Sequence, residues 1–125
     1  MTEDAYVTAR DVHLPVLRAL MARWFADHRI DAMLLPATMI TATVIGDDQR
    51  VRIGGTEIPF ATAVGRNIAP ASTAGLPGLV LPAGRANGLP VAIEIDGPSG
   101  SDRRLLAIGL AIEALLAPQG LARTA

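Results

Sequence analysis

Apolar positions along this chain change period several times, and the changes divide it into elements. From Leu14 to His28 they recur at helical spacing, with Leu14, Leu17, Leu20, Met21, Trp24 and Phe25 forming one stripe. Pro15 suits a first helical turn, which places Arg10, Asp11 and His13 at or before the helix start. The run from Asp31 to Pro36 is short and nearly all apolar, as in a buried strand. Thr38 to Ile45, rich in Thr and Ile, either extends that strand or begins another. A polar turn from Gly46 to Gln49 and the alternating run Arg50-Val51-Arg52-Ile53 then predict a hairpin with one exposed face, ended by Gly54-Gly55. Pro59 to Arg66 reads as a helical turn. Asn67 to Gly75, made of small and polar residues, reads as a loop with room for a short helix.

A duplicated phrase punctuates the second half. Gly75-Leu76-Pro77 leads to Gly84, and Gly88-Leu89-Pro90 leads to Gly97, each pair framing a short apolar run. The two runs predict strands over Gly78–Leu81 and Val91–Asp96, paired as a hairpin through the turn formers between Gly84 and Gly88. In the second strand Val91, Ile93 and Ile95 share one face, while Ala92, Glu94 and Asp96 share the other. A helix follows from Asp102 to Leu116, with Ser101 or Asp102 as N-cap and Pro118 and Gly120 as stops. Its stripe is Leu105, Ile108, Gly109, Ile112, Leu115 and Leu116. The order of elements predicts the α/β class: a mixed β-sheet layer of about four to six strands, covered by an N-terminal and a C-terminal helix. Length predicts a single domain over residues 1–125.

Composition changes this picture in one respect. Half the residues are apolar, 18% are charged, and the mean hydropathy is +0.37. A small domain has much surface to cover and is normally more polar, so the chain is expected either to associate or to belong to a larger core. The net charge of −1, without runs of like charge, argues against nucleic-acid and membrane partners. The acidic, polar start MTEDAYVTAR is unlike a signal or transit peptide, and no apolar run is long enough to span a bilayer, so the expected location is cytoplasmic.

Candidate chemistry is sparse. Cysteine is absent, which excludes disulfides, thiolate metal sites and a cysteine nucleophile. All eleven basic residues are arginines, so no lysine base, Schiff base or P-loop lysine is present. Glu94 and Asp96 stand at a spacing that suits a carboxylate pair, although alternation alone yields such pairs on a solvated or hairpin-edge face. His13 and His28 lie at opposite ends of the first helix, too far apart for one metal site, and read as surface residues. Serine occurs at positions 72, 99 and 101. The last two suit turn and capping roles. Ser72 sits in the small-residue segment, where a nucleophile would need a base that the neighbouring sequence does not offer, and loop hydrogen bonding is the simpler role. Neither Gly54-Gly55 nor Gly97-Pro98-Ser99-Gly100 has the arrangement of a phosphate cradle, and Gly100 to Asp102 reads as a plain helix entry.

Several segments carry a family resemblance through their order and spacing. They are Asp31-Ala32-Met33-Leu34-Leu35-Pro36-Ala37-Thr38, then Asn67-x-x-Pro70-Ala71-Ser72-x-Ala74-Gly75-Leu76-Pro77, then Leu81-Pro82-Ala83-Gly84 and Gly88-Leu89-Pro90-Val91. Asp96-Gly97-Pro98-x-Gly100-Ser101-Asp102-Arg103-Arg104-Leu105-Leu106-Ala107-Ile108-Gly109 closes the series. Together they resemble the C-terminal part of amidase-signature enzymes, most closely the indoleacetamide or mandelamide type. The resemblance implies a piece of that family's larger sheet. It also implies a parent enzyme that hydrolyses carboxylic amides with a serine nucleophile, a second serine in a cis peptide, a lysine, and backbone N–H groups of a Gly/Ser-rich loop around the oxyanion.

This chain has no lysine, no paired serines and no such loop, so no catalytic residue carries over. The expectation is a catalytically incomplete amidase segment without cofactor or metal. Asn67, Pro70 and Ser72, together with the variable segment from Thr41 to Phe60, would face the substrate pocket. Its partner would be a second copy of itself or a complementary amidase N-terminal segment, and the parent enzyme's substrate a small-molecule amide. The alternative is a non-catalytic oligomeric module, derived from an amidase, that binds a ligand or a protein.

Overall fold

In the computed structural model, which describes residues 1–117, one long helical run opens the chain. It comprises α1 (Glu3–Thr8), a π-helical segment (Ala9–His13) and α2 (Leu14–His28). The helix therefore starts well before Leu14, and Arg10, Asp11 and His13 lie within it instead of ahead of it. Pro15 supplies the physical reason. It has no N–H to donate and its ring crowds the preceding turn, and the chain meets it with a widened turn in which Leu14 N–H reaches back to Ala9 O. Arg29, in the left-handed region at φ 53°, ends α2. Only Phe25 of the predicted stripe is fully buried, and Leu20 is exposed.

The expected strand near Asp31 is β1 (Met33–Pro36). Beyond it, the Thr-rich stretch forms no strand. The next hairpin consists of β2 (Arg50–Ile53) and β3 (Thr56–Pro59), antiparallel across Gly54 and Gly55. Both glycines have positive φ, 57° and 84°, as a type I′ hairpin turn requires. Gly54-Gly55 is thus the turn of the hairpin and not its end.

The largest departure from expectation is α3 (Phe60–Ala74), fifteen residues that include the whole predicted loop up to Ala74. Ser, Thr, Asn and an internal Pro70 give weak local helix preference, and tertiary packing overrides it. Ala63, Ala71 and Ala74 are buried, their small side chains allowing close contact. Gly75 caps the end in the left-handed region, with its N–H on Ser72 O and Leu76 N–H on Ala71 O.

β4 (Gly78–Ala86) and β5 (Leu89–Asp96) form the second hairpin, longer than predicted because its turn is only Asn87-Gly88, again with positive φ at both residues. A bulge between Pro82 and Gly84 adjusts the register. β1 pairs with the other side of β5, giving a three-stranded sheet in the order β1-β5-β4. The α/β class agrees with the sequence reading, and the five strands fall within the expected number but divide between a three-stranded and a two-stranded sheet in place of one layer. Every pairing among the described residues is antiparallel, however, so the sheet is not mixed. The two-residue turns dictate this within each hairpin, since a parallel return needs a long crossover.

α4 (Asp102–Leu116) covers one face of this sheet. Gly109 permits its approach: a Cβ there would overlap the end of Leu79 and come within 3.9 Å of Ile95 Cδ1. Leu105 and Gly109 are buried, while Leu115, assigned to the same stripe, is exposed. The expected stops Pro118 and Gly120 lie outside the described residues. Arg104 pairs with Asp31 at 2.6 Å, tying the start of α4 to the entry of β1.

The buried apolar side chains among the described residues are Phe25, Ala63, Ala71, Ala74, Leu81, Ile95 and Leu105, a thin core. Val12, Val16 and Leu20 on the first helix and Leu106, Leu110 and Leu115 on α4 are all more than half exposed. This matches the excess of apolar residues in the composition.

Candidate functional site

An apolar cavity of about 830 Å³ opens among the described residues. One wall is the end of β1 and the irregular segment after it, from Ala37 to Ala42. The other is the β4/β5 hairpin, through Val80, Pro82, Ala83 and Ala86 on one strand and residues from Pro90 to Ile93 on the other. Backbone hydrogen bonding positions the irregular wall. Ala37 N–H donates to Ala92 O at 3.0 Å, adding a rung to the ladder, and Met39 N–H reaches Ala63 O on α3. Thr38 Oγ1 donates to Ile40 O at 2.6 Å, a local turn that bends the segment away from the sheet.

No lining residue is charged, and the side-chain polar groups are the hydroxyls of Thr38 and Thr41. The volume suits a ligand of drug-like size or smaller. Such a cavity can hold an apolar body, but it offers no acid or base for chemistry upon that body.

Of the three sequence-predicted wall residues, Asn67 is the one connected to this cavity. Its Nδ2 donates to Pro36 O at 2.8 Å, bracing the lining residue Pro36 from α3. Pro70 and Ser72 lie on exposed positions of α3 and do not line the cavity. Within the variable segment, Thr41 and Ala42 do line it. The residues that build the opposite wall, above all Pro82, Ala83 and Ala86, read in the sequence as strand and turn only. The bulge there is the local signal that they do something else. Replacing Asn67 with Ala is expected to lower stability by about 0.5–1.5 kcal/mol, the usual worth of one such bond. Comparing urea midpoints of N67A and wild type checks this; equal midpoints would show that α3 does not brace Pro36.

The carboxylate pair is placed differently from the simpler reading of it. β5 is the middle strand, so Glu94 and Asp96 lie on no sheet edge. They are 7% and 1% exposed, although Val80, opposite Glu94, is 54% exposed. Burial and the neighbouring Asp96 raise the pKa of Glu94 above the usual carboxylate range. Burial also raises that of Asp96, with the neighbouring Glu94 acting in the opposite direction. The two histidines are exposed, as read; His28 Nδ1 lies 2.8 Å from Trp24 O, and its ring stacks near that of Trp24. Ser101 begins α4, but its hydroxyl makes no capping bond. A smaller cavity of about 250 Å³ between α2, the end of α3 and Ser99 is lined by Arg18, Phe25, Ala74 and Leu76 among others. Arg18 Nε is committed there to Ala74 O. Among the described residues no group of three or more His, Cys, Asp or Glu could hold a metal ion. None of their helices is long and apolar enough to cross a membrane.

Comparison with known proteins agrees with this architecture. The amidase family model matches residues 1–106. The chain is 45% identical over 109 residues to the indoleacetamide hydrolase of Agrobacterium vitis, covering 86% of this chain and 23% of that protein. It is 40% identical over 116 residues to the mandelamide hydrolase of Pseudomonas putida, covering 91% of this chain and 22% of that one. A crystal structure of an amidase superposes with a TM-score of 0.83 at 30% identity, over 93% of this chain and 26% of its own. The chain thus spans about a quarter of the length of the curated relatives it matches.

Proposed function

Since this chain belongs to the amidase family, we propose that it is the C-terminal segment of a hydrolase of carboxylic amides, contributing an apolar wall of the substrate cleft and inactive alone. One observation carries the reading: the alignments take in 86% and 91% of this chain but 23% and 22% of the hydrolases it resembles. Acyl transfer from an amide needs an activated nucleophile, a base and oxyanion donors. The cavity contains no titratable group, and the sequence has no lysine. Those parts belong to a complementary segment.

The relatives are named for indoleacetamide and mandelamide, both of which join an aromatic body to a carboxamide. An uncharged cavity of about 830 Å³ is suited to such a body, leaving the amide to face the missing machinery. Asn67 serves as a brace of the cleft wall through Pro36. In this reading the chain acts as one domain in the cytoplasm. The exposed apolar stripes of the first helix and α4 are where the complementary segment, or a second copy of the chain, would pack.

Ammonia release from indoleacetamide and mandelamide tests the proposal. The purified chain is expected to release none above background, and co-expression with the N-terminal segment of a related amidase is expected to restore turnover. Hydrolysis by the chain alone that disappears in Ser72→Ala would overturn it. Exposed apolar side chains also favour the second reading, a non-catalytic oligomeric module. That reading predicts a discrete, cooperatively melting oligomer that gains no activity on co-expression.

A further inference from the structure

Glu94 and Asp96 stand two residues apart on the same face of β5, the middle strand of its sheet. Among the described residues, no donor from any other residue reaches Glu94 Oε2 or either carboxyl oxygen of Asp96, all three of them buried. Opposite them in register are Met33 and Leu35 on β1 and Gly78 and Val80 on β4, which have neither charge nor side-chain donor. Both carboxyls reach over Gly78, where a Cβ would stand 2.9 Å from Asp96 Oδ1 and 3.5 Å from Glu94 Oε1.

Charged groups on the surrounding helices are turned elsewhere. On α2, Arg18 donates to Ala74 O, Arg23 pairs with Asp27, and His28 is exposed. Arg66, the single charge of α3, is exposed. On α4, which packs through Gly109 on Leu79 and Ile95, Arg104 pairs with Asp31, while Asp102, Arg103 and Glu113 are exposed. Two adjacent buried charges with no cation or donor are far costlier than one charge and one neutral acid.

We propose that Glu94 and Asp96 share a single proton, Glu94 holding it and donating to the Asp96 carboxylate, so that the centre of the sheet is a hydrogen-bonded acid pair that loosens when the proton is lost. This stands independently of the amidase reading. Burial acts on both groups in the required direction, and the Asp96 charge adds to it at Glu94. Because the folded state keeps protons that the unfolded chain releases above about pH 4, stability is fully present at the acid side. It falls as pH rises through the folded-state titration, the reverse of ordinary carboxylates.

The test is urea unfolding of the full chain from about pH 4 to about pH 9, for wild type, Glu94→Gln and Asp96→Asn. The wild-type midpoint should fall as pH rises. E94Q keeps the donor without titrating, so it should remove most of that fall and exceed wild type at the alkaline end. D96N supplies the same comparison should E94Q not fold. Carbon-13 NMR of the wild-type carboxyls should show Glu94 titrating above the ordinary glutamate range. Parallel profiles in wild type and variant, an E94Q midpoint below wild type at the alkaline end, or ordinary titration of both carboxyls would each overturn the proposal.

Discussion

Truncating Phe25 to alanine is expected to cost about 3–5 kcal/mol, the range for a buried aromatic ring lost from a core. Phe25 is 4% exposed and meets Trp24 edge-on, with ring centroids 5.5 Å apart. It lines the small cavity between α2 and the end of α3 beside Ala74 and Leu76. Alanine would merge the ring's volume with that cavity, where Ala22, Ala74 and Gly75 have no side chain long enough to refill it. Against a total stability of about 5–15 kcal/mol for a domain, the loss is large. Urea unfolding followed by circular dichroism reads it directly. A loss below about 1 kcal/mol would show that α2 is not held to α3 through this ring.

Ile95→Ala comes next, with an expected loss of about 2–5 kcal/mol. Ile95 is 1% exposed and faces Leu34 on β1 and Leu79 on β4 in register. α4 lies over it through Gly109, which has no side chain to follow the shortened residue into the hole. Leu34→Ala is the control: that side chain is 59% exposed, and its removal should change stability by less than about 0.5 kcal/mol. A loss in L34A comparable to that in I95A would mean that the exposed edge of the sheet is covered in solution, by a second copy or another partner.

The elements differed in how legible they were, for reasons that can be assigned. α4, β1 and the β4/β5 hairpin follow from local periodicity and turn residues, α4 and β1 close to their expected bounds and the hairpin in its expected place with longer strands. α3 was hidden because its helical character depends on burying alanines against neighbours, which composition cannot reveal. The early start of the first helix was hidden by Pro15, which reads as a beginning unless the preceding turn widens to admit it. Gly54-Gly55 was recognised as a break, yet whether a Gly pair stops a strand or reverses it depends on what lies beyond to pair with.

The cavity was less accessible still. Asn67 is bonded to the lining residue Pro36 without lining the cavity itself, and Pro82, Ala83 and Ala86 carry no chemical signature and acquire their role from the bulge and from facing the segment after β1. The Glu94–Asp96 spacing was visible, while its burial was not. Alternation tells which residues share a face, while the place of β5 between two other strands and the packing around it decide that these two side chains are not left to solvent.

What the sequence determined by itself is local or additive: the α/β class, the apolar excess, the family, and the lack of lysine, cysteine and paired serines that any mechanism must respect. Tertiary structure alone decided which apolar residues form the thin core, which small residues become a helix, and where the cleft opens. It also decided that two acids meet without a donor. These depend on contacts between residues far apart in the chain, and their energies come from burial and desolvation, which do not exist until the elements have packed.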